Sequence, residues 1–230
     1  MLVNILNDIQ SVFFPDICSG CHAHLGHYEK TLCVKCRHDL PLTHFHTFPD
    51  NLMEKMFYGR VPIEKATAFL WFQKQGVVQN LIHHLKYKGQ EHIGTFLGSW
   101  MGSELAASSF FKEVDYVIPV PLHQKKLRKR GYNQVTTFAK EIADSLKAVY
   151  RDDILKRVTH APTQTLKNRL TRWHTDQTSF ALNTSAGLSY KHILLTDDVI
   201  TTGATLEACT VALKSLPGVK VSIATMAIAN

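Results

Sequence analysis

The sequence predicts an α/β fold, a mostly parallel sheet flanked by helices, with a small cysteine-built module in front of it. Three observations lead there. From about residue 63 onward, short apolar runs alternate with longer amphipathic ones, the pattern of strands buried on both faces and joined through covering helices. Four of the five cysteines fall within 19 residues near the N-terminus. One apolar run ends in two adjacent aspartates, followed by "VITTGAT" and a helical pattern, and such a strand-to-helix junction is where sheets of this kind hold ligands.

The bounds agree with this. A chain of 230 residues can bury a full core and has room for one ordinary domain plus an appendage. With 45% apolar and 20% charged residues, the composition is that of a globular protein and excludes a disordered chain. The net charge of +7 draws the protein to polyanions, nucleic acid and phosphorylated small molecules alike. No run of about 18 apolar residues is present, so no membrane span is expected. The N-terminal "MLVNILNDIQSVFF" lacks a basic n-region and carries Asp8, so it reads as retained and the protein as cytoplasmic. Its Leu2, Ile5, Leu6, Ile9, Val12 and Phe13 share one face at helical spacing, which predicts a short helix laid against the rest of the protein.

In chain order, "ATAFLWF" reads as a strand, "VVQNLIHHLKYKG" as a helix stopped by Gly89, and "IGTFLGSWMGSELAAS" as a second helix. "VDYVIPVP" is a short buried strand closed by prolines, and "NQVTTFAKEIADSLKAVY" a strong helix with apolar residues at 135, 138, 139, 142, 143 and 146. "ILKRV" and "KHILLTDD" read as strands, "ATLEACTVALKSL" as a helix ended by Pro217 and Gly218, and "KVSIATMAIA" as the last strand. This places residues 1–50 in an N-terminal helix plus cysteine module and 60–230 in the sheet domain, with 37–62 as the connection. Cys209 sits alone in a helix and reads as a small apolar core residue.

Cys18, Cys21, Cys33 and Cys36 form C-x2-C, eleven residues, then C-x2-C. Each pair can present two thiolates from one tight turn, and two turns close a tetrahedral site with no open position, which predicts a structural zinc ion. Two matched pairs without an export signal favour metal over disulfides or redox thiols. His22, His24 and His27 stand nearby, but four thiolates already saturate zinc.

The stretch "LLTDDVITTGATLEA", residues 194–208, carries the ligand chemistry. If "HILL" is the strand, Asp197 and Asp198 fall beyond its carboxyl end, where they can accept hydrogen bonds from the vicinal hydroxyls of a sugar. The hydroxyls of Thr201, Thr202 and Thr205, the backbone at Gly203 and Ala204, and a helix N-terminus then make an anion cradle. Together they describe a site for a ribose with a 5′-phosphate. "KKLRKRG", five cations in six residues, reads as a solvated basic loop, a diphosphate clamp or a nucleic-acid contact. Arg128 and Arg130 suit either anion, because guanidinium groups bind phosphate oxygens in a bidentate way. Lys86 and Lys88 add to that basic surface, and His83, His84 and His123 read as packing or surface residues.

An apolar strand, two acids, two variable residues and Thr-Thr-Gly-x-Thr resemble the phosphoribosyl diphosphate motif of type I phosphoribosyltransferases. "FFPDICSGC", "LKYKG" and "VIPVPLHQKKLRKRGYNQ", taken with it, resemble the ComF family of late-competence proteins. In that family a four-cysteine zinc-ribbon-like module precedes a type I phosphoribosyltransferase-like domain. The resemblance covers nearly the full chain. It implies that "IPVPLH" is the diphosphate-binding loop and that residues 155–172 form a mobile loop over the substrate. Thr175 stands where the family pattern carries an asparagine.

For function it implies phosphoribosyl diphosphate as ligand with Mg²⁺, and a role in natural transformation alongside other DNA-uptake proteins. The reaction implied is displacement of diphosphate from the anomeric carbon by a nitrogen nucleophile that the sequence leaves unnamed. The alternative is a single-stranded DNA-binding protein in which the phosphoribosyl site is a non-catalytic sensor or relic, with Tyr87 and Tyr132 beside cations as stacking platforms.

Overall fold

A computed structural model describes residues 16–158, 179–185 and 187–229. The expected N-terminal helix over Leu2 to Phe13, the loop from residue 159 to 172 and Thr175 lie outside these residues. The main sheet has five strands in the order β1-β7-β6-β2-β3, with every pairing parallel. Its strands are β1 (Ala66–Phe72), β2 (Tyr116–Pro119), β3 (Val149–Tyr150), β6 (His192–Ile200) and β7 (Lys220–Ala229). From Val221 to Ile228 β7 is buried without interruption, because a central parallel strand is covered on both faces.

Helices α3 (Val77–Tyr87), α4 (His92–Ala107) and α6 (Thr136–Leu146) share one apolar core with β1, β2 and β7, built around Leu81, Leu97, Phe138 and Ile142. The opposite core packs α7 (Ala204–Lys214) and Met53 and Phe57 against Ile193, Leu195 and Ile223. Cys209 is fully buried there, as expected. No helix among the described residues is long and apolar enough to cross a membrane.

The cysteine module is seated on α3. Cys18, Leu32, Cys36 and Leu40 belong to the same core as Val78 and Leu81, and Asn80 Nδ2 donates to the Gly20 carbonyl at 2.7 Å. The approach is close enough that a Cβ at Gly20 would lie 2.8 Å from Val77. Residues 37–62 do more than connect. The N–H of Trp71 donates to Pro41 and that of Thr43 to Phe69, at 2.8 and 3.0 Å, so this segment covers the outer edge of β1. It also contributes the short helices α1 (Val34–His38) and α2 (Leu52–Lys55) around its start and middle.

Four local readings differ from expectation. The stretch through Tyr150 was expected to stay helical, but Lys147 takes a left-handed conformation at φ 55° and Val149–Tyr150 pair with β2. A β-branched residue and a tyrosine at a sheet edge gain more from pairing than from a further helical turn. "ILKRV" does form a strand, β4 (Leu155–Val158), yet it pairs antiparallel with β5 (Ser179–Leu182) outside the main sheet. The basic run is a helix, α5 (Gln124–Arg130), rather than a loop. The His123 ring nitrogen caps it by accepting from the Lys125 N–H at 3.1 Å, and Gly131 closes it at φ 85°. It buries no residue, so no apolar periodicity could have announced it. Finally, the strand read as "KHILLTDD" runs two residues further, as β6 to Ile200.

Candidate functional site

Two chemical centres emerge, one in each part of the chain. In the module, a turn at Cys18–Cys21 and the start of α1 bring Cys18, Cys21, Cys33 and Cys36 together, with all four sulfurs within 4.8 Å of one another. Cys18 Sγ accepts from the N–H groups of Gly20 and Cys33 at 3.4 and 3.3 Å, and Cys33 Sγ from Cys36 at 3.4 Å. Burial alone would raise the Cys18 thiol, but the N–H groups of Cys33, Cys21 and Gly20 outweigh it and hold the pKa at about 7. Burial and the neighbouring thiols push Cys36 the other way, and a metal, which takes thiolates, has to displace that proton. Zn–S bonds of about 2.3 Å in a tetrahedron put sulfurs about 3.8 Å apart, and Cys21 and Cys33 are 3.8 Å apart. The donor set therefore fits a closed, structural zinc site. Among the described residues no histidine or carboxylate joins it.

The second centre lies at the carboxyl edge of the sheet. Strand β2 accompanies β6 only to the Pro119–Thr196 pair, whereas β7 continues to Ile200–Ile228. Asp197 and Asp198 therefore stand past the end of β2 while still paired to β7. As neighbours in a strand they point to opposite faces.

Asp197 lines a small pocket with Thr201, Thr202, Gly203, Ala204 and Thr205. Its Oδ1 accepts from the Asp198 N–H at 2.8 Å. Burial, reinforced by the charge of Asp198, pushes its carboxyl up to about 7. Gly203, at φ 76°, turns the chain into α7, a conformation that side chains disfavour. The loop is clasped from outside by Arg60, whose Nη1 donates to the Thr202 carbonyl at 2.8 Å and to Met56 at 3.0 Å, while Nε meets Glu207 at 3.0 Å.

Asp198 faces the other way and is only 7% exposed. Lys86 Nζ reaches it at 2.9 Å, and Gln134 Nε2 donates to the same oxygen. Gln134 Oε1 in turn accepts from Arg130 Nη1, and the Arg130 guanidinium lies 5.6 Å from the Tyr87 ring centroid. Tyr132 donates to the Leu85 carbonyl, and Asn133 Nδ2 to Val120 at 3.0 Å. The "RGYNQ" stretch is thus tied to α3, to the loop after β2 and to the second aspartate.

The structure gathers the expected acids, threonines and Arg130 into one corner, but on two sides of β6. Sequence reasoning placed Lys86 only on a general basic surface, gave Gln134 no role and passed over Arg60. Gln134 could have been found as a buried amide next to a cation run at a helix start. Nothing local marks Arg60 for this loop, since its partners there, Thr202 and Glu207, lie on a distant segment.

No family model matches the chain. It is 25% identical over 193 residues to DNA utilization protein YhgH of Escherichia coli K12, covering 83% of this chain and 80% of that protein. It is 35% identical over 101 residues to competence protein F of Haemophilus influenzae, 44% of each chain. The chain is a homologue of YhgH and ComF. Similar solved structures are phosphoribosyltransferases. Hypoxanthine phosphoribosyltransferase of Staphylococcus aureus is matched at 16% identity over 59% of this chain and 62% of that one, TM-score 0.34. Adenine phosphoribosyltransferase of Leishmania tarentolae is matched at 8% over 83% and 94%, TM-score 0.40.

Proposed function

We propose that the corner between β6 and α7 binds phosphoribosyl diphosphate with Mg²⁺, and that this ComF/YhgH homologue serves DNA uptake and utilization through it. One observation carries the reading: Asp197 and the Thr201–Thr205 loop line the same pocket at the start of α7. The 5′-phosphate takes the loop N–H groups and threonine hydroxyls, and a ribose hydroxyl donates to Asp197. Across β6, Lys86 and Arg130 supply the cations that a diphosphate needs. Magnesium, when bound, neutralises further diphosphate charge.

The test is thermal unfolding with and without phosphoribosyl diphosphate and Mg²⁺. A ligand present at about 100 times its Kd stabilises the native state by about 2.7 kcal/mol, which raises the Tm of a chain this size by roughly 5–11 °C. An unchanged Tm at saturating ligand rejects the site.

A second reading, single-stranded DNA binding, is favoured by a run of neighbouring rings. His22 and His84 have centroids 5.3 Å apart, His84 and His83 6.0 Å, His83 and Tyr87 5.1 Å, and Arg130 covers Tyr87 at the end of the run. Rings interleaved with cations suit stacked bases and a phosphate backbone. Four phosphate contacts predict about a fifty-fold loss of affinity for an oligo-dT probe between about 50 and 200 mM salt. A flat response would count decisively against this surface.

A further inference from the structure

Gln134 touches both the second aspartate and the basic helix. It is 5% exposed, and both ends of its amide are committed, Nε2 to Asp198 and Oε1 to Arg130. An amide is the group that can do this: it donates to a carboxylate at one end and accepts from a guanidinium at the other. A carboxylate in its place would repel Asp198, and an apolar side chain would leave both partners unanswered. The backbone on either side is fixed, by Asn133 on Val120 and by the start of α6, so the amide has little freedom to choose other partners.

We propose that Gln134 is a positioning residue that anchors Arg130 on Asp198, which Lys86 also holds, and so presents the guanidinium to the diphosphate of the ligand. This rests on the proposed phosphoribosyl diphosphate site and assigns its internal coupling. Without the amide, Arg130 keeps among the described residues the Tyr87 face, a weak constraint on a long side chain. It then has to be ordered by the ligand at the ligand's expense. The loss falls on whichever part of the ligand Arg130 meets, the diphosphate, and spares the 5′-phosphate held across β6 by the Thr201–Thr205 loop.

The experiment compares two ligands, phosphoribosyl diphosphate with Mg²⁺ and ribose 5-phosphate, by calorimetry on the full chain. Gln134→Met keeps the volume and removes both hydrogen bonds. It is expected to weaken phosphoribosyl diphosphate about tenfold or more, the scale of losing a charged hydrogen bond, and ribose 5-phosphate about threefold at most. Arg130→Ala should give the same split, and the double variant should be no weaker than the worse single one, because the two act through one contact. Gln134→Glu still accepts from Arg130, so its ratio of the two affinities should return toward wild type while both affinities fall. Equal losses for both ligands, or additive losses in the double variant, overturn the positioning role. Wild-type protein that binds neither ligand overturns the site itself, a distinct and separately visible failure.

Discussion

Cys36→Ser is expected to lower the Tm by roughly 8–16 °C and to abolish stoichiometric zinc in the purified protein. The size follows from packing as much as from coordination. Cys36 is buried in the core shared with Val78 and Leu81, so losing the ion loosens the surface on which α3 rests. A loss of about 4 kcal/mol, on the scale reported for broken metal sites, converts at about 2–4 °C per kcal/mol for a chain of this length. We propose that the module and sheet domain remain separable in one sense. Amide exchange should speed up most across residues 17–37, less in α3 and least in β6 and β7, since structural zinc sites fold with their metal. An unaltered melt together with absent zinc would show that the thiols pack without an ion.

Asp197→Asn is expected to have two opposite effects. It should weaken the ligand-induced rise in Tm above pH 7, where the ribose of the proposed ligand loses a carboxylate acceptor, and Asp197→Asn with Asp198→Asn should remove it completely. Without ligand, the same Asp197 change should stabilise the protein above pH 7. In the native state burial and the Asp198 charge keep the Asp197 carboxyl protonated up to about 7, against an ordinary value of 3.8. Between those values the native state holds a proton that the unfolded chain has released, so stability falls as pH rises through that window. Asparagine removes the penalty while still accepting the Asp198 N–H, giving a gain of about 1–4 kcal/mol at pH 8 and none below pH 4. A variant with wild-type stability at pH 8 and intact ligand response would dismiss both roles.

Much of the fold was legible in advance because burial writes itself into periodicity. "ATAFLWF" and "KVSIATMAIA" are the strands β1 and β7 residue for residue, since both are largely buried and consist mostly of apolar and small residues. Helix α5 was not legible, for the converse reason: it buries nothing, and only its capping residues and helix-forming composition marked it. The end of β6 fell two residues beyond the acids read as its last residues, because the β7 side of the ladder continues to Ile200–Ile228.

By itself the sequence determined the types of the elements that bury an apolar face, the four-thiolate donor set and the acid, threonine and glycine order of the β6–α7 corner. Those are local properties, set by spacing within a turn or by the face that a run of residues buries. Only the tertiary structure decided that Asp197 faces the phosphate loop while Asp198 turns to Lys86 and, through Gln134, to Arg130. It alone seated the cysteine module on α3 and brought Arg60 to the Thr202 carbonyl. Periodicity tells which face of an element is covered but not which element covers it, and every one of these contacts joins segments whose meeting depends on the order of strands in the sheet.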